Sequence, residues 1–155
     1  MTQSVAARLK DLGIEIPEAA APVANYVGWV RSGDLVFVSG QVTLQGGKPQ
    51  FIGKLGAEID LEAGRAAARL CAINIIAQLK QACEGDLERV ARIVRLGGFV
   101  NSTADFTQQP KVIDGASDLM ASVFAERGRH ARAAVSVNSL PLGVAVEIDC
   151  IAEVT

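Results

Sequence analysis

One run, DLEAGRAAARLCAINIIAQLKQACEG over residues 60–85, limits the fold more than any other part of the chain. Asp60 is a helix N-cap residue, and Ala67, Leu70, Ile73, Ile76, Ala77 and Leu79 recur at helical spacing until Gly85 marks a stop. The helix is apolar around more than one narrow stripe. It therefore needs a broad apolar surface to lie on, and the sheet or the helices are candidates for burial against other subunits.

The rest of the chain supplies that surface. Residues 4–18 read as a short helix ending at Gly13 and an extended piece before Pro17, an added cap rather than a working part. NYVGWVRSGDLVFVSGQVT holds two strand-like runs joined across Ser32-Gly33-Asp34, which predicts a hairpin over residues 26–43. LQGGKPQFIGKLG is rich in turn residues and is expected on the surface. LERVARIVRLGGFVNS predicts a strand after a short turn, with Gly97-Gly98 as a bulge or a close backbone approach. QQPKVIDGASDLMASVFAERG is a second helix, with Pro110 in its first turn and Gly128 at its stop.

The last segment, RHARAAVSVNSLPLGVAVEIDCIAEV, reads as a second hairpin around Leu140-Pro141-Leu142-Gly143. That reading puts Arg132 and Glu147 on adjacent strands. The order is ββαβα followed by ββ, an α+β layout with two helices on one face of an antiparallel-rich sheet. One domain over residues 1–155 is expected, with 1–20 as an N-terminal extension and 22–154 as the main body.

Charge and cysteine content exclude several function classes. The formal net charge is -2 and no lysine or arginine cluster stands out, so neither nucleic acid nor an anionic membrane is the expected partner. No apolar run is long enough to span a bilayer, and the N-terminus lacks a secretory pattern. Cys71, Cys83 and Cys150 are separated and lie in apolar surroundings, as expected of reduced, buried thiols in a cytoplasmic protein. Gly46-Gly47 and Gly97-Gly98 lack the context of a phosphate loop. Asp105, Asp114 and Asp118 read as cap or surface carboxylates rather than metal ligands, and the lone His130 as a rim or packing residue.

Four pieces in order carry a family resemblance: NYVGWV with Tyr26, LVFVSGQV with Ser39-Gly40-Gln41, GFVNSTADF, and the final ARAAVSVNSLPLGVAVEIDCIAEV. Together they make the chain resemble the Rid family, also called YjgF-type, of enamine/imine deaminases. The resemblance implies a chorismate-mutase-like fold, related to the ferredoxin-like folds, and a homotrimer with ligand sites in clefts between subunits. It implies no metal or organic cofactor. A cyclic trimer repeats one heterologous contact and so yields three equivalent clefts.

By that resemblance Arg132 grips a substrate carboxylate, with the two parallel bonds that a planar guanidinium makes. Glu147 positions or deprotonates water, and Tyr26, Ser39 and the backbone of Gly40 line the same cleft. The expected activity is hydrolysis of 2-enamine or 2-imine carboxylic acids to 2-keto acids and ammonia, with a small 2-imino or 2-keto acid as ligand. A non-catalytic trimer that binds a small carboxylate for a regulatory purpose is the alternative. The chain departs from the family in places. His130-Ala131-Arg132 replaces the usual Pro-Ala-Arg, and Ala134 stands where a cysteine is common, leaving only backbone groups for ligand contact. The loop before the second helix is longer, and the N-terminal cap is extra.

Overall fold

A computed structural model describes residues 2–155. The first helix, α1 (Val5–Asp11), starts at Ser4, whose hydroxyl accepts from the Ala7 N–H. Val5 and Leu9 are buried, and the Val5 N–H donates to Glu88 at 2.5 Å. Strands β1 (Trp29–Ser32) and β2 (Leu35–Val42) form the expected hairpin, with Gly33 at φ +61° in its two-residue turn. A small ribbon, β3 (Leu44–Gln45) and β4 (Lys48–Pro49), occupies the segment expected to be surface loop. The same segment then sends Leu55 fully into the core.

The long helix α2 (Leu61–Ala82) is capped by Asp60, whose carboxylate accepts from the Ala63 N–H at 2.8 Å. After a 3-10 turn (Leu87–Arg89) comes β5 (Val90–Asn101), then α3 (Gln109–Phe124) with Pro110 in its first turn. Strands β6 (Ala131–Val137) and β7 (Val146–Val154) complete the chain. Helices α2 and α3 pack on one face of the sheet. Val36, Val38, Ile93, Leu96, Val100, Val146 and Ile148 meet them there in one apolar core.

The sheet order is β1-β2-β7-β5-β6, antiparallel except for the parallel pair β5 and β6. This overturns the expected C-terminal hairpin: β6 and β7 do not pair, because β5 lies between them. Gly98 pairs with Ala134 on one side and Ile148 on the other. Helix α3 provides the long crossover that a parallel pair needs. The connection after β6 is not a tight turn but an excursion over the end of β5. Asn101 donates to the carbonyls of Gly53 (3.2 Å) and Val144 (3.1 Å), while Lys54 bonds both Asn101 and the Asn138 carbonyl. Leu142, at φ +60°, and Gly143, at φ +70°, complete the bend and deliver β7 between β2 and β5.

The Gly97-Gly98 pair is a close approach and not a bulge. The register shifts of β5 lie nearer its start, whereas a Cβ on Gly98 would sit 2.6 Å from Ile113 of α3. Among the described residues, no helix is long and apolar enough to cross a membrane. Cys71, Cys83 and Cys150 are buried and free.

Candidate functional site

Strand parity decides which side chains can meet, since alternate residues face opposite sides of a sheet. Leu96, buried under the helices, pairs with Arg132, so Arg132 points to the helix side. Val146 and Ile148 also point there, which sends Glu147 to the opposite, uncovered face. Arg132 and Glu147 therefore do not meet within one chain, contrary to the hairpin expectation.

Arg132 is instead tied to α3. Its Nη1 donates to Asp114 Oδ1 at 2.8 Å and to Ser117 Oγ at 3.1 Å, and its Nη2 to the Pro110 carbonyl at 3.3 Å. His130 sits beside it. Nδ1 faces the Gly128 carbonyl at 2.7 Å and must carry the proton there, leaving Nε2 to accept from the Ser117 hydroxyl at 2.9 Å. Burial, with a smaller push from Arg132, holds the imidazole pKa below its ordinary value. Ala134 lies two residues along, paired with Gly98 and packed against the core.

Four other expected residues come together. Tyr26, Ser39, Gly40 and Glu147 line one cavity of about 300 Å³ at the end of the sheet. Its walls are the chain leading into β1, the irregular part of β2, the bend at Pro141-Leu142 and one side of α2. The β2–β7 register slips between Val38 and Gln41, and this bulge presents Ser39 and Gly40 to the cavity. Ser39 donates its hydroxyl proton to the Val27 carbonyl at 2.7 Å, which pins the approach to β1. Gly40 is needed for room, because a Cβ there would lie 2.7 Å from Glu147 Oε2. Tyr26 lines the cavity while 53% exposed, so it stands at the rim.

Glu147 is half-buried. Burial raises its carboxyl pKa above the ordinary value, and Asp149, two residues along on the same face, raises it further. A carboxyl in this state exchanges a proton more readily near neutrality than an exposed one.

Three cavity residues carried no weight in the sequence reading as site residues: Gln41, Asn74 and Gln78. Asn74 and Gln78 stand one turn apart on α2, in an otherwise apolar stretch with Ile75, Ile76 and Leu79. Two carboxamides four residues apart on a buried helix are the signal that could have found them. Gly28 is a second glycine fixed by the site, since a Cβ would collide with the Gln78 side chain. Among the described residues, no group of three or more His, Cys, Asp or Glu side chains is placed to hold a metal ion.

The sequence and the fold match those of a known group. Residues 6–154 fit the family described as "YjgF/chorismate_mutase-like, putative endoribonuclease", and the chain belongs to that family. It is 51% identical over 150 residues to Protein TCP17 of Trypanosoma cruzi, covering 96% of this chain and 93% of that protein. The crystal structure of Atu1372 from Agrobacterium tumefaciens, of unknown function, superposes with a TM-score of 0.92 at 47% identity, covering 97% and 92% of the two chains. A protein of Shewanella oneidensis described as a "putative endoribonuclease" superposes with a TM-score of 0.94 at 39% identity, covering 98% and 100%.

Proposed function

We propose that this protein is a hydrolytic deaminase that converts reactive 2-enamine or 2-imine acids to 2-keto acids and ammonia. The observation that carries the reading is Glu147, half-buried with a raised pKa, in one cavity with Tyr26, Ser39 and Gly40. In the ionised form its carboxylate takes a proton from water as the oxygen adds to the carbon of the protonated imine, giving a neutral carbinolamine. The protonated carboxyl then returns that proton to nitrogen, the C–N bond breaks as the carboxylate takes the hydroxyl proton and the carbonyl forms, and that proton leaves with the nitrogen as ammonium. Tyr26 donates from the rim to the group in transit. The imine carbon is already electrophilic, so orientation and one proton carrier suffice, without metal or organic cofactor.

Such intermediates arise where amino acids are metabolised, and the location proposed with this activity is the cytoplasm. The assembly proposed is a homotrimer. In support, Val30, Phe37 and Val135 are exposed, and by strand parity they share the uncovered sheet face. Arg132 can contribute to a substrate carboxylate only across a subunit boundary and after leaving Asp114.

The family description and the Shewanella relative raise RNA cleavage as another activity. Against it, the charged side chain that lines the cavity is the carboxylate of Glu147, which repels phosphate. The chain's one histidine lies on the other side of the sheet, occupied by Ser117 and Gly128.

Release of 2-ketobutanoate from 2-iminobutanoate generated in situ tests the proposal. Acceleration over buffer is expected. A wild-type protein that gives none is not a deaminase, and the carboxylate-binding alternative then takes its place.

A further inference from the structure

The cavity around Glu147 has a hydrogen-bonding sense of its own. Asn74 turns both N–H groups of its amide to main-chain carbonyls, those of Val42 at 3.1 Å and Leu44 at 3.0 Å. Gln78 turns its amide nitrogen to the Ala20 carbonyl at 3.0 Å, and Gln41 to the Ser39 carbonyl at 3.0 Å. Carbonyl oxygens only accept, so these contacts fix which end of each carboxamide is nitrogen. The three amide oxygens are left over, and no described residue donates to any of them.

Gln78 is the most telling of the three. It is 2% exposed, yet no fully sealed side-chain oxygen or nitrogen among the described residues lacks a partner. Its oxygen must therefore keep an opening; it lies beside Gly28, and both residues line this cavity and the neighbouring one that reaches Trp29. The Ser39 hydroxyl gives its proton to Val27 and can only accept from a ligand. Among the described lining residues there is no lysine, arginine or histidine, while Glu147 supplies a carboxylate. Burying an acceptor without a donor is costly, and burying a ligand carboxylate beside these oxygens without a cation is costlier.

We infer that this cavity is a subsite for nitrogen: it takes a protonated imine, amidine or amine through its N–H groups, and it rejects a carboxylate of the same shape. The inference rests on the deaminase reading for its chemical purpose. A protonated imine offers N–H donors and a positive charge to Glu147 and the amide oxygens, and that protonation makes its carbon more electrophilic. The ammonium product carries the same features. A substrate's carboxylate, where one exists, then lies outside the cavity.

Butyramidine and butyrate make a matched test, with the same carbon chain and planar ends of opposite charge and opposite hydrogen-bonding sense. Titration of the full-length protein at pH 7, followed by calorimetry, is expected to show butyramidine binding at least about tenfold more tightly than butyrate. Gln78→Met is expected to weaken the amidine and leave butyrate unchanged. Glu147→Gln keeps the side-chain shape and is expected to cut the preference by about tenfold, which holds the test open if Gln78→Met does not fold. Butyrate binding as tightly as butyramidine overturns the inference, as does a preference untouched by Glu147→Gln. No turnover is needed. Amidine binding without deamination leaves the inference standing and sinks the deaminase reading, whereas deamination with tighter butyrate binding does the reverse.

Discussion

Gly40→Ala separates the placement of Glu147 from the stability of the fold. The backbone at Gly40 does not have the positive φ that favours glycine, so alanine is allowed there, and it removes unfolded-state freedom worth about 0.4–1 kcal/mol. Against this, the new Cβ would lie 2.7 Å from Glu147 Oε2 and 2.9 Å from its Cδ. The carboxyl has to withdraw by roughly 0.7 Å to reach ordinary contact, at a rotamer cost of about 0.5–1.5 kcal/mol. The two effects nearly cancel, and stability in urea is expected to change by less than about 1 kcal/mol. Catalysis has no such compensation. A misplacement approaching 1 Å costs about a hundredfold, so ketoacid release from in situ 2-iminobutanoate is expected to fall by about that factor. Unchanged turnover would refute the importance of the carboxyl's position. A stability loss beyond about 2 kcal/mol would show instead that the glycine serves the fold.

Other perturbations read separate parts of the account. Burial raises the Glu147 pKa in the folded state, so its ionisation weakens stability as pH rises through that value and costs nothing once the group is protonated in both states. Glu147→Gln is therefore expected to be more stable than wild type at pH 7, with the gain gone below about pH 4 in paired urea titrations. Asp114→Ala strips the carboxylate from the Arg132 guanidinium, whose side chain is only 21% exposed. A loss of about 1–2 kcal/mol, or roughly 3–8 °C in Tm, is expected, and an unchanged Tm would mean that the pair contributes nothing. Gly98→Ala drives a methyl to 2.6 Å from Ile113 in a packed layer and should cost about 1–3 kcal/mol by chemical denaturation, with no gain at any pH.

Much of the fold was legible because its signals are local. Asp60 caps α2 where the N-cap rule puts it, Pro110 sits in the first turn of α3, and Gly33 turns the first hairpin. The C-terminal pairing was not legible, because what separates β6 from β7 is held by distant residues. Asn101 and Lys54 fasten the connection from 43 and 84 positions away, and α3 sets β6 parallel to β5. That one change of topology also puts Arg132 and Glu147 on opposite faces of the sheet.

The same division runs through the site. Tyr26, Ser39, Gly40 and Glu147 stand in motifs that can be read along the chain, and they share a cavity. Arg132 stands in such a motif too, but its neighbour Asp114 is 18 positions earlier, on a helix whose packing no strand pattern reveals. Asn74 and Gln78 left a trace as polar residues in an apolar helix. Their meaning came only from which carbonyls their nitrogens reach.

The central claim is that the carboxyl of Glu147 carries the proton in C=N hydrolysis. Single-turnover release of ammonia from 2-iminobutanoate by wild type and Glu147→Gln, measured from pH 5 to 8, tests it most directly. The account predicts acceleration by wild type that grows as a group with a pKa above the ordinary carboxylate value ionises, and a Gln variant at least about a hundredfold slower with no such rise. A Gln variant as fast as wild type, with the same pH profile, would contradict it.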